Sequence, residues 1–488
     1  MPEFDVIVIG SGPAGYTCAI RLSQLVAKVA VVERDYVGGI CTNWGCTPSK
    51  SMIESAKIAR IVGEAARYGI HVPSYTINFA EVAARRNAVI RHAREEIVRL
   101  LQGHGVTLYQ GKGSLRPQEQ DGMHRGGVHR VAVRGGKLDP DGEQMRYTGE
   151  DVELTARHVV LGTGSSPLIP PFVDRSDPTV VSSNRLITVD HLPKTLIIVG
   201  GGVIGLEFAT IFSNMGSQVT VVEYLDRVLA TLDPEISAEI TRLMEDNGVR
   251  VLTNCEVKSV AGGKVTAAHR QTGEPVELAA EGVLISIGRR PVIDAEEYTA
   301  AGVAFSKKGI EVDDHLRTSA PGVWAIGDAT GKSILAHVGI QQGIVCAENI
   351  MAEMTGRTQH GADAPLRAMD DRVVPAVVYS IPEVAAVGTV PADGEGVSIY
   401  SVPFSVNLRA RIEGYEEGFV KIWVKDNAVV AAQALGHNVS EMIQELANMI
   451  ALATPLNDVA TIIHAHPTYS EITRTVLECA LGKAIEAA

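Results

Sequence analysis

The stretch Asp5-Val-Ile-Val-Ile-Gly-Ser-Gly-Pro-Ala-Gly15 places a short apolar run directly before a glycine-rich segment. An uninterrupted run of apolar, mostly β-branched residues is typical of a buried parallel strand. A helix-like segment from Tyr16 to Leu25 follows, and a second apolar strand from Val29 to Val32 ends at the acidic Glu33. A strand, G-x-G-x-x-G, a helix and an acid about 20 residues further on together predict a dinucleotide-binding unit.

In such a unit, the backbone at Gly10, Gly12 and Gly15 lets a pyrophosphate approach the N-terminus of a helix. The carboxylate of Glu33 can then accept a hydrogen bond from a ribose hydroxyl. The alternative interpretation is an ordinary glycine-rich turn between a strand and a helix. The acid at the end of the second strand disfavours that alternative.

Two cysteines follow this unit in the segment Gly38-Gly-Ile-Cys-Thr-Asn-Trp-Gly-Cys-Thr-Pro-Ser-Lys50. Their spacing is not C-x-x-C, and no second Cys/His pair stands at a zinc-like distance, so we predict no metal site. A disulfide between Cys41 and Cys46 would close a very short loop and stabilise the fold by at most ~2 kcal/mol. A helix N-terminus and Lys50 would both favour a thiolate. We therefore predict a redox-active pair beside a bound cofactor rather than two structural thiols.

The first pattern is repeated later in the chain. An apolar strand over 196–199 precedes Gly200-Gly-Gly-Val-Ile-Gly205, a helix over 206–215 follows, and a strand over 219–222 ends at Glu223. This repetition predicts a second dinucleotide site, with the glycines Gly200, Gly202 and Gly205 at the pyrophosphate. Glu223 would accept from a free ribose 2′-hydroxyl and repel a 2′-phosphate, which favours NAD(H).

The composition limits the class of protein. The chain has 488 residues, which predicts about three domains. A net charge of −13 without a basic run argues against binding to nucleic acid or to an anionic membrane surface. The sequence has neither a secretory signal nor an apolar run of the ~18 residues expected of a membrane span. Six cysteines in so long a chain do not make a disulfide scaffold, so we expect a cytoplasmic protein.

Taken together, these motifs resemble the class I flavoprotein disulfide reductases over nearly the whole chain, and most of all the dihydrolipoamide dehydrogenase branch of that family. The resemblance implies an α/β fold with two Rossmann-like dinucleotide-binding domains plus an α+β C-terminal dimerisation domain. The implied boundaries are an FAD-binding domain over 1–165, an NAD-binding domain over 166–288, a central domain that completes the FAD site over 289–362, and an interface domain over 363–488.

The resemblance also implies roles for single residues at the flavin. Cys41 would be the outer thiol that meets substrate, Cys46 would lie against the flavin as a thiolate, and Lys50 would sit near the reactive edge of the ring. Trp44 and Thr47 depart from the residues that many members carry at these positions, which bears on redox potential and fit. The other implied FAD contacts are Gly113, Asp328, Ala336 and His337.

At the second site, the resemblance implies that Glu207 pairs with Lys50, and that Val257 and Gly288 touch the nicotinamide nucleotide. In the NADPH-using glutathione reductases, arginines stand at the positions of Tyr224 and Ala230. Neither position is basic here, which again favours NAD(H).

The segment His464-Ala-His-Pro-Thr-Tyr-Ser-Glu471 closely resembles the catalytic-base signature of the family. His466 would be the acid/base and Glu471 would orient its imidazole, whereas His464 is expected to be structural. By itself the His-x-x-x-x-Glu spacing would indicate no more than a surface histidine. In the family the base acts on the disulfide of the other subunit, so the resemblance implies a homodimer.

The implied activity is FAD-dependent oxidation of dihydrolipoyl groups by NAD⁺ through a Cys41–Cys46 disulfide. The dihydrolipoyl group could belong to a carrier protein of a 2-oxo acid dehydrogenase or related complex. Two alternatives stay open: NADH-dependent reduction of another disulfide, and a flavin-bound redox-sensing interaction protein. A mercuric reductase would carry a C-terminal cysteine pair, whereas Cys479 stands alone. The polar residues 115–150 are predicted to form an enlarged, exposed β-hairpin region without chemistry.

Overall fold

A computed structural model describes residues 3–117, 127–138, 145–147, 151–357, 365–392 and 396–486. The N-terminal part contains the first dinucleotide unit and the cysteine pair. Its elements are β1 (Glu3–Ile9), α1 (Pro13–Gln24), β2 (Val29–Glu33), α2 (Gly39–Trp44), α3 (Cys46–Gly63), α4 (Phe79–Gly103), β3 (Thr107–Gln110), β4 (Lys112–Leu115), β5 (His129–Arg134), β6 (Gly136–Leu138), β7 (Met145–Tyr147), β8 (Val152–Leu161) and β9 (Ser165–Pro167).

The middle of the chain contains the second dinucleotide unit. Its elements are β10 (Val180–Ser182), α5 (Ser183–Leu186), β11 (Thr195–Val199), α6 (Val203–Asn214), β12 (Gln218–Val222), α7 (Pro234–Asp246), β13 (Arg250–Leu252), β14 (Cys255–Ala261), β15 (Lys264–His269), β16 (Pro275–Ala279) and β17 (Gly282–Ile285).

The last part begins after the second unit. Its elements are β18 (Arg289–Pro291), α8 (Ala295–Ala300), β19 (Phe305–Ser306), β20 (Gly309–Ile310), β21 (Val323–Ala325), α9 (Ala336–Thr355), β22 (Ala376–Val378), β23 (Glu383–Gly388), β24 (Val397–Pro403), α10 (Leu408–Glu413), β25 (Phe419–Lys425), β26 (Ala428–Gly436), α11 (Val439–Leu452), α12 (Leu456–Val459) and α13 (Glu471–Ala480).

Two parallel sheets carry the two glycine-rich segments. In the first sheet, β3, β2, β1, β8 and β21 run parallel, and β5 and β4 continue it in antiparallel fashion. In the second, β10, β17, β11, β12 and β13 are all parallel. The carboxyl end of β1 lies next to the N-terminus of α1, and that of β11 lies next to the N-terminus of α6. This is where α/β folds bind dinucleotides. The predicted α/β fold class with two such units is confirmed.

Both predicted helices after these strands begin earlier than expected. The predicted helix from Tyr16 is α1, which begins at Pro13 because proline is pre-organised for the first turn of a helix. The helix predicted over 206–215 is α6, which begins at Val203, directly after Gly202. Gly12 and Gly202, the middle glycines of the two fingerprints, are therefore the N-caps of these helices.

The C-terminal part is an antiparallel sheet in the order β22-β23-β26-β25-β24, packed against α11 and α13. Its core is made by residues that alternate along the strands and by one apolar face of each helix. This α+β unit agrees with the predicted C-terminal domain type. Of the predicted hairpin region over 115–150, the structure describes β5, β6 and β7, while residues 118–126, 139–144 and 148–150 lie outside the described residues. No helix in the described ranges has the length and apolar character needed to cross a membrane.

Candidate active site

The two cysteines lie on adjoining helices. Cys41 is in the short α2, and Cys46 is the first residue of α3, with Gly45 between the two helices. Both are free thiols of intermediate exposure, and Cys41 donates a hydrogen bond to the sulfur of Cys46. Because Cys46 stands at a helix N-terminus, the dipole of α3 favours negative charge on its sulfur.

The surroundings of the pair separate the pKa values of its two thiols. The hydrogen bond from Cys41 and the charge of Lys50 lower the pKa of Cys46 to about 7, against the effect of burial. The hydrogen bond to Cys46 and burial raise the pKa of Cys41. At neutral pH the reduced pair therefore carries its negative charge on Cys46, while Cys41 keeps its proton.

The ammonium group of Lys50 is held from the second dinucleotide unit. Its Nζ lies 2.9 Å from each carboxylate oxygen of Glu207, whose side chain is only 8% exposed. The backbone N–H of Tyr379 donates to the same carboxylate, and the Tyr379 ring centroid lies 4.4 Å from Nζ. Three parts of the chain meet in this way beside the thiols.

A cavity of about 1100 Å³ reaches from the first glycine-rich segment to the two thiols. Cys41, Cys46 and Glu207 line it. So do all nine residues that the sequence analysis assigned to FAD, which are Gly10, Gly12, Gly15, Glu33, Lys50, Gly113, Asp328, Ala336 and His337. These residues come from six separate stretches of the sequence, and the fold brings them to one surface.

The three glycines of the first unit have different reasons to be glycine. Gly10 has φ of 104°, and a Cβ on Gly15 would lie 1.9 Å from the carbonyl oxygen of Gly10, so the turn itself requires both. Gly12 has φ of −62°, and a Cβ there would meet no atom of the protein within 4 Å. Neither backbone nor packing explains Gly12, whereas the close approach of a phosphate to the N-terminus of α1 does.

The second unit repeats this arrangement. A Cβ on Gly205 would lie 2.0 Å from the carbonyl oxygen of Gly200, whereas one on Gly202 would meet nothing within 4 Å. Glu223 accepts a hydrogen bond of 2.6 Å from the N–H of Gly201. In the first unit, Glu33 likewise accepts from the N–H of Ser11 at 2.8 Å. Both acids are thus fixed next to their glycine-rich turns.

The second unit lies outside the cavity itself. Gly200, Gly202, Gly205, Glu223, Val257 and Gly288 are not among its lining residues, although Glu207 and its neighbours on α6 are. Val257 is buried with apolar residues of β14 and β15, and Gly288 has φ of 128°. The structure therefore brings the predicted FAD residues together around one cavity, whereas of the predicted NAD residues only Glu207 reaches it. Gly200 and Gly202 lie at the turn between β11 and α6, Gly205 lies in the first turn of α6, and Val257 lies on β14.

Sequence reasoning missed two polar groups of the cavity. Arg289 donates from Nε to the hydroxyl of Ser165 at 2.8 Å, and that hydroxyl donates to Asp328 at 2.5 Å. Burial lowers the pKa of Arg289 and raises that of Asp328. Asn184 is 2% exposed and lines the cavity, and its Oδ1 has no hydrogen-bond partner among the described residues. No local sequence motif identifies either residue. Asn184 follows β10 and Arg289 begins β18, and the sequence around both strands has an ordinary composition.

These observations fit a bound dinucleotide such as FAD. The cavity contains the N-terminus of α1, where Gly12 permits the close approach of a phosphate, and Glu33, which can bind a ribose hydroxyl. It also contains the unpaired amide oxygen of Asn184. A large ligand that carries hydrogen-bond donors would satisfy that acceptor.

The histidine motif lies on a different surface. Nδ1 of His466 is 2.8 Å from Oε1 of Glu471, and the N–H of Thr468 donates to Oε2 at 2.8 Å. Burial opposes ionisation of Glu471, but these two hydrogen bonds lower its pKa. The side chain of His466 is 63% exposed and does not line the cavity. His464, in contrast, is buried against Glu445 at 2.9 Å, as expected of a structural residue.

Comparison with known proteins identifies the class. Residues 4–343 match the family model for pyridine nucleotide-disulphide oxidoreductases, and residues 374–477 match the model for the dimerisation domain of these enzymes. The chain belongs to this family and is an NAD-dependent flavoprotein oxidoreductase with FAD and NAD(H) as its cofactors. The predicted enzyme class and cofactors are confirmed.

Curated relatives match over nearly their whole length. The chain is 32% identical to dihydrolipoyl dehydrogenase of Chlamydia pneumoniae, with 96% of this chain and 95% of the relative covered. It is 33% identical to dihydrolipoyl dehydrogenase of Bacillus subtilis, with 99% of each chain covered. Among solved structures, LpdA of Mycobacterium tuberculosis is 27% identical, with a TM-score of 0.83 over 98% of this chain and all of that chain. The flavoprotein disulfide reductase RclA of Escherichia coli, at 24% identity and a TM-score of 0.80 over 97% of this chain and 99% of that chain, shares the fold.

Proposed function

We propose that this chain oxidises dihydrolipoyl groups with NAD⁺ through a Cys41–Cys46 disulfide. One observation carries the proposal: the two thiols, with their pKa values separated, line the same cavity as the first dinucleotide turn. A structural pair would need neither Lys50 beside it nor access to that cavity. The names of the full-length relatives point to the dihydrolipoyl group as the substrate.

The thiol chemistry follows from the positions of the two sulfurs. One substrate thiolate attacks the sulfur of Cys41 in the disulfide, a mixed disulfide forms, and Cys46 leaves as a thiolate that Lys50 and the α3 N-terminus stabilise. The second substrate thiol then attacks its own disulfide-linked sulfur, and Cys41 leaves and takes a proton. The products are a cyclic lipoyl disulfide and the reduced Cys41–Cys46 pair. FAD bound in the cavity would supply two-electron chemistry between this dithiol and NAD⁺.

We assign the other predicted residues to binding. Gly10, Gly12, Gly15, Glu33, Gly113, Asp328, Ala336 and His337 would hold FAD, with Lys50 near its reactive edge. Gly200, Gly202, Gly205, Glu207, Glu223, Val257 and Gly288 would serve NAD. The close approach that Gly12 and Gly202 permit supports pyrophosphate binding at both turns. The acid at Glu223 supports NAD rather than NADP.

The proton carrier in this proposal is His466. It would take the proton from the substrate thiol and return it to the leaving Cys41, with Glu471 holding the imidazole. His466 lies away from the cavity of its own chain, and a dimerisation domain is present. We therefore propose a homodimer in which His466 of one copy serves the thiols of the other. A dihydrolipoyl carrier protein as the natural partner, a cytoplasmic location, and the domain boundaries at 165, 288 and 362 are parts of the same proposal.

The test is reduction of NAD⁺ by dihydrolipoamide with the FAD-loaded protein. A Cys41→Ser variant is the matched control, and NADP⁺ and glutathione are run beside the preferred pair. Turnover with NAD⁺ that disappears in the variant supports both the substrate and the thiol assignment. A flavin that NADH reduces, without any turnover of dihydrolipoamide, would reject the substrate and direct attention to other disulfides.

A further inference from the structure

The helix that carries Cys41, α2, is hydrogen-bonded through Asn43 to Arg94 of α4. We infer that Arg94, acting through Asn43, is a positioning residue that sets the reduction potential of the Cys41–Cys46 pair. The inference rests on the proposed redox role of that pair. It assigns a function to Asn43, which lies between the two cysteines in sequence, and to Arg94, which contacts Asn43; neither residue touches substrate or cofactor in the proposed reaction.

Asn43 is the centre of the contact. It stands between the two cysteines in sequence and is only 3% exposed. Its Nδ2 donates to three backbone carbonyls that precede Cys41, those of Tyr36 at 3.3 Å, Val37 at 3.1 Å and Gly39 at 2.8 Å. Because Asn43 is itself in α2, these bonds tie α2 and the residues just before it together around one amide group.

The amide oxygen of Asn43 is in turn held by Arg94. Nε and Nη2 of the guanidinium donate to Oδ1 at 3.0 Å and 2.7 Å. The guanidinium carbon also lies 3.6 Å from the centroid of the Tyr36 ring, which contacts Trp44 at 6.2 Å between centroids. A planar, forked donor stacked on a ring has little freedom to move. The contact spans 51 residues of sequence and joins α4 to the thiol-bearing segment.

This contact bears on the potential because it fixes one sulfur relative to the other. Cys41 is carried by α2, Cys46 by α3, and Gly45 lies at the junction. Closing a disulfide is favoured in proportion to the effective concentration of one thiol at the other. If α2 is released from Arg94, that concentration falls, the disulfide becomes easier to reduce, and the potential rises.

A purely structural role for Arg94 is the competing explanation. Helix α4 is also held by Ile97 and Leu101, which are buried in the apolar cluster of the first sheet. Those contacts would keep α4 in place without Arg94. A packing role therefore predicts a change in stability alone, whereas a positioning role predicts a change in the thiol–disulfide equilibrium at unchanged flavin content.

The experiment equilibrates the FAD-loaded protein with mixtures of reduced and oxidised dithiothreitol. In this exchange each protein disulfide takes two electrons and two protons from one dithiothreitol molecule, which becomes the cyclic disulfide. Free thiols are then alkylated, and the peptide with Cys41 and Cys46 is quantified by mass spectrometry. For Arg94→Met we expect half-reduction at a ratio of reduced to oxidised dithiothreitol about tenfold lower, equivalent to a potential about 30 mV higher.

Four further variants decide the interpretation. Arg94→Lys keeps the charge but not the fork, so its midpoint should shift in the same direction. Asn43→Ala alone should also shift the midpoint in this direction, and combining it with Arg94→Met should shift the midpoint no further than Asn43→Ala alone, because Arg94 acts through Asn43. Arg85→Met is the matched control: Arg85 is also on α4 and donates to the carbonyl and hydroxyl of Ser51 on α3. Its midpoint should equal that of the wild type.

An Arg94→Met midpoint that stays within twofold of wild type, whether or not the melting temperature falls, would overturn the inference. Additive shifts in the double variant would show that Arg94 does not act through Asn43, and would also overturn it. A wild-type protein that forms no Cys41–Cys46 disulfide at any ratio would instead reject the proposed function.

Discussion

Lys50 and Glu207 face each other between the thiol-bearing helix α3 and helix α6, which follows the glycine-rich turn of the second dinucleotide unit. The ammonium lies 2.9 Å from both carboxylate oxygens, and the glutamate is buried. This ion pair connects the thiol-bearing segment to the second dinucleotide unit, and its two residues are 157 positions apart in sequence. Because Lys50 and Glu207 act on Cys46 with opposite sign, their balance contributes to the charge of the reduced thiol pair at neutral pH.

Removing either charge should move the titration of Cys46 in a defined direction. The negative charge of Glu207 raises the pKa of Cys46, so Glu207→Gln should lower it below the wild-type value of about 7. The positive charge of Lys50 lowers it, so Lys50→Met should raise it. The thiolate is lost as the pH falls through this pKa, which places the wild-type loss near pH 7.

The measurement is the rate of Cys46 alkylation in the reduced, FAD-loaded protein as a function of pH, read by peptide mass spectrometry. The two variants are each other's control, because each leaves its partner unpaired. Shifts in the same direction in both would contradict the electrostatic account and point to a general loosening of the site.

Local sequence patterns were sufficient to predict the parts of the site that neighbouring residues form, such as the glycine-rich turns. The predicted strand over 29–32 is β2, and Gly12 and Gly202 cap α1 and α6, because a βα turn is decided by a few adjacent residues. The predicted ion pair between Lys50 and Glu207 came from family resemblance. Neither periodicity nor spacing could have found it.

The residues that sequence reasoning missed depend on long-range docking. Arg289 meets Ser165 across 124 positions, and Arg94 meets Asn43 across 51. Arg94 stands on a helix whose apolar spacing is explained by packing alone, and nothing in that pattern says which polar residue turns inward. Asn184 becomes notable only because its unpaired amide oxygen is buried at the cavity.

Substitutions of Gly12 and Gly202, the middle glycines of the two turns, should distinguish the FAD site from the NAD site. Gly12→Ala adds a methyl group that meets no protein atom, so the fold should be kept while phosphate approach is blocked. We expect FAD affinity to fall at least tenfold, or about 1.4 kcal/mol. Gly202→Ala should leave the flavin content unchanged and raise the KM for NAD⁺ by a similar factor. Flavin absorbance after dialysis and steady-state kinetics measure the two effects, and full FAD content in Gly12→Ala would refute the first.

Replacing Glu223 should weaken the choice of NAD⁺ over NADP⁺. Glu223→Gln removes the repulsion of a 2′-phosphate but keeps an oxygen that can accept from the N–H of Gly201. We expect the ratio of kcat/KM for NADP⁺ to that for NAD⁺ to rise about tenfold, which corresponds to about 1.4 kcal/mol. Glu33→Gln is the matched control in the first unit and should leave this ratio unchanged. An unchanged ratio in Glu223→Gln would show that another group selects the cofactor.

Disrupting the pair of His466 and Glu471 should slow only the half-reaction that moves protons to and from the substrate thiols. Glu471→Gln removes the carboxylate that holds Nδ1 of His466 at 2.8 Å, so dihydrolipoamide turnover should fall about a hundredfold or more. Reduction of the flavin by NADH does not use that base and should keep its wild-type rate in a stopped-flow measurement. His464→Gln is the control, because His464 is buried against Glu445 and its loss should lower the melting temperature rather than kcat. Equal losses in both half-reactions of Glu471→Gln would mean that the substitution damages the fold, and the role of His466 as the proton carrier would lose its support.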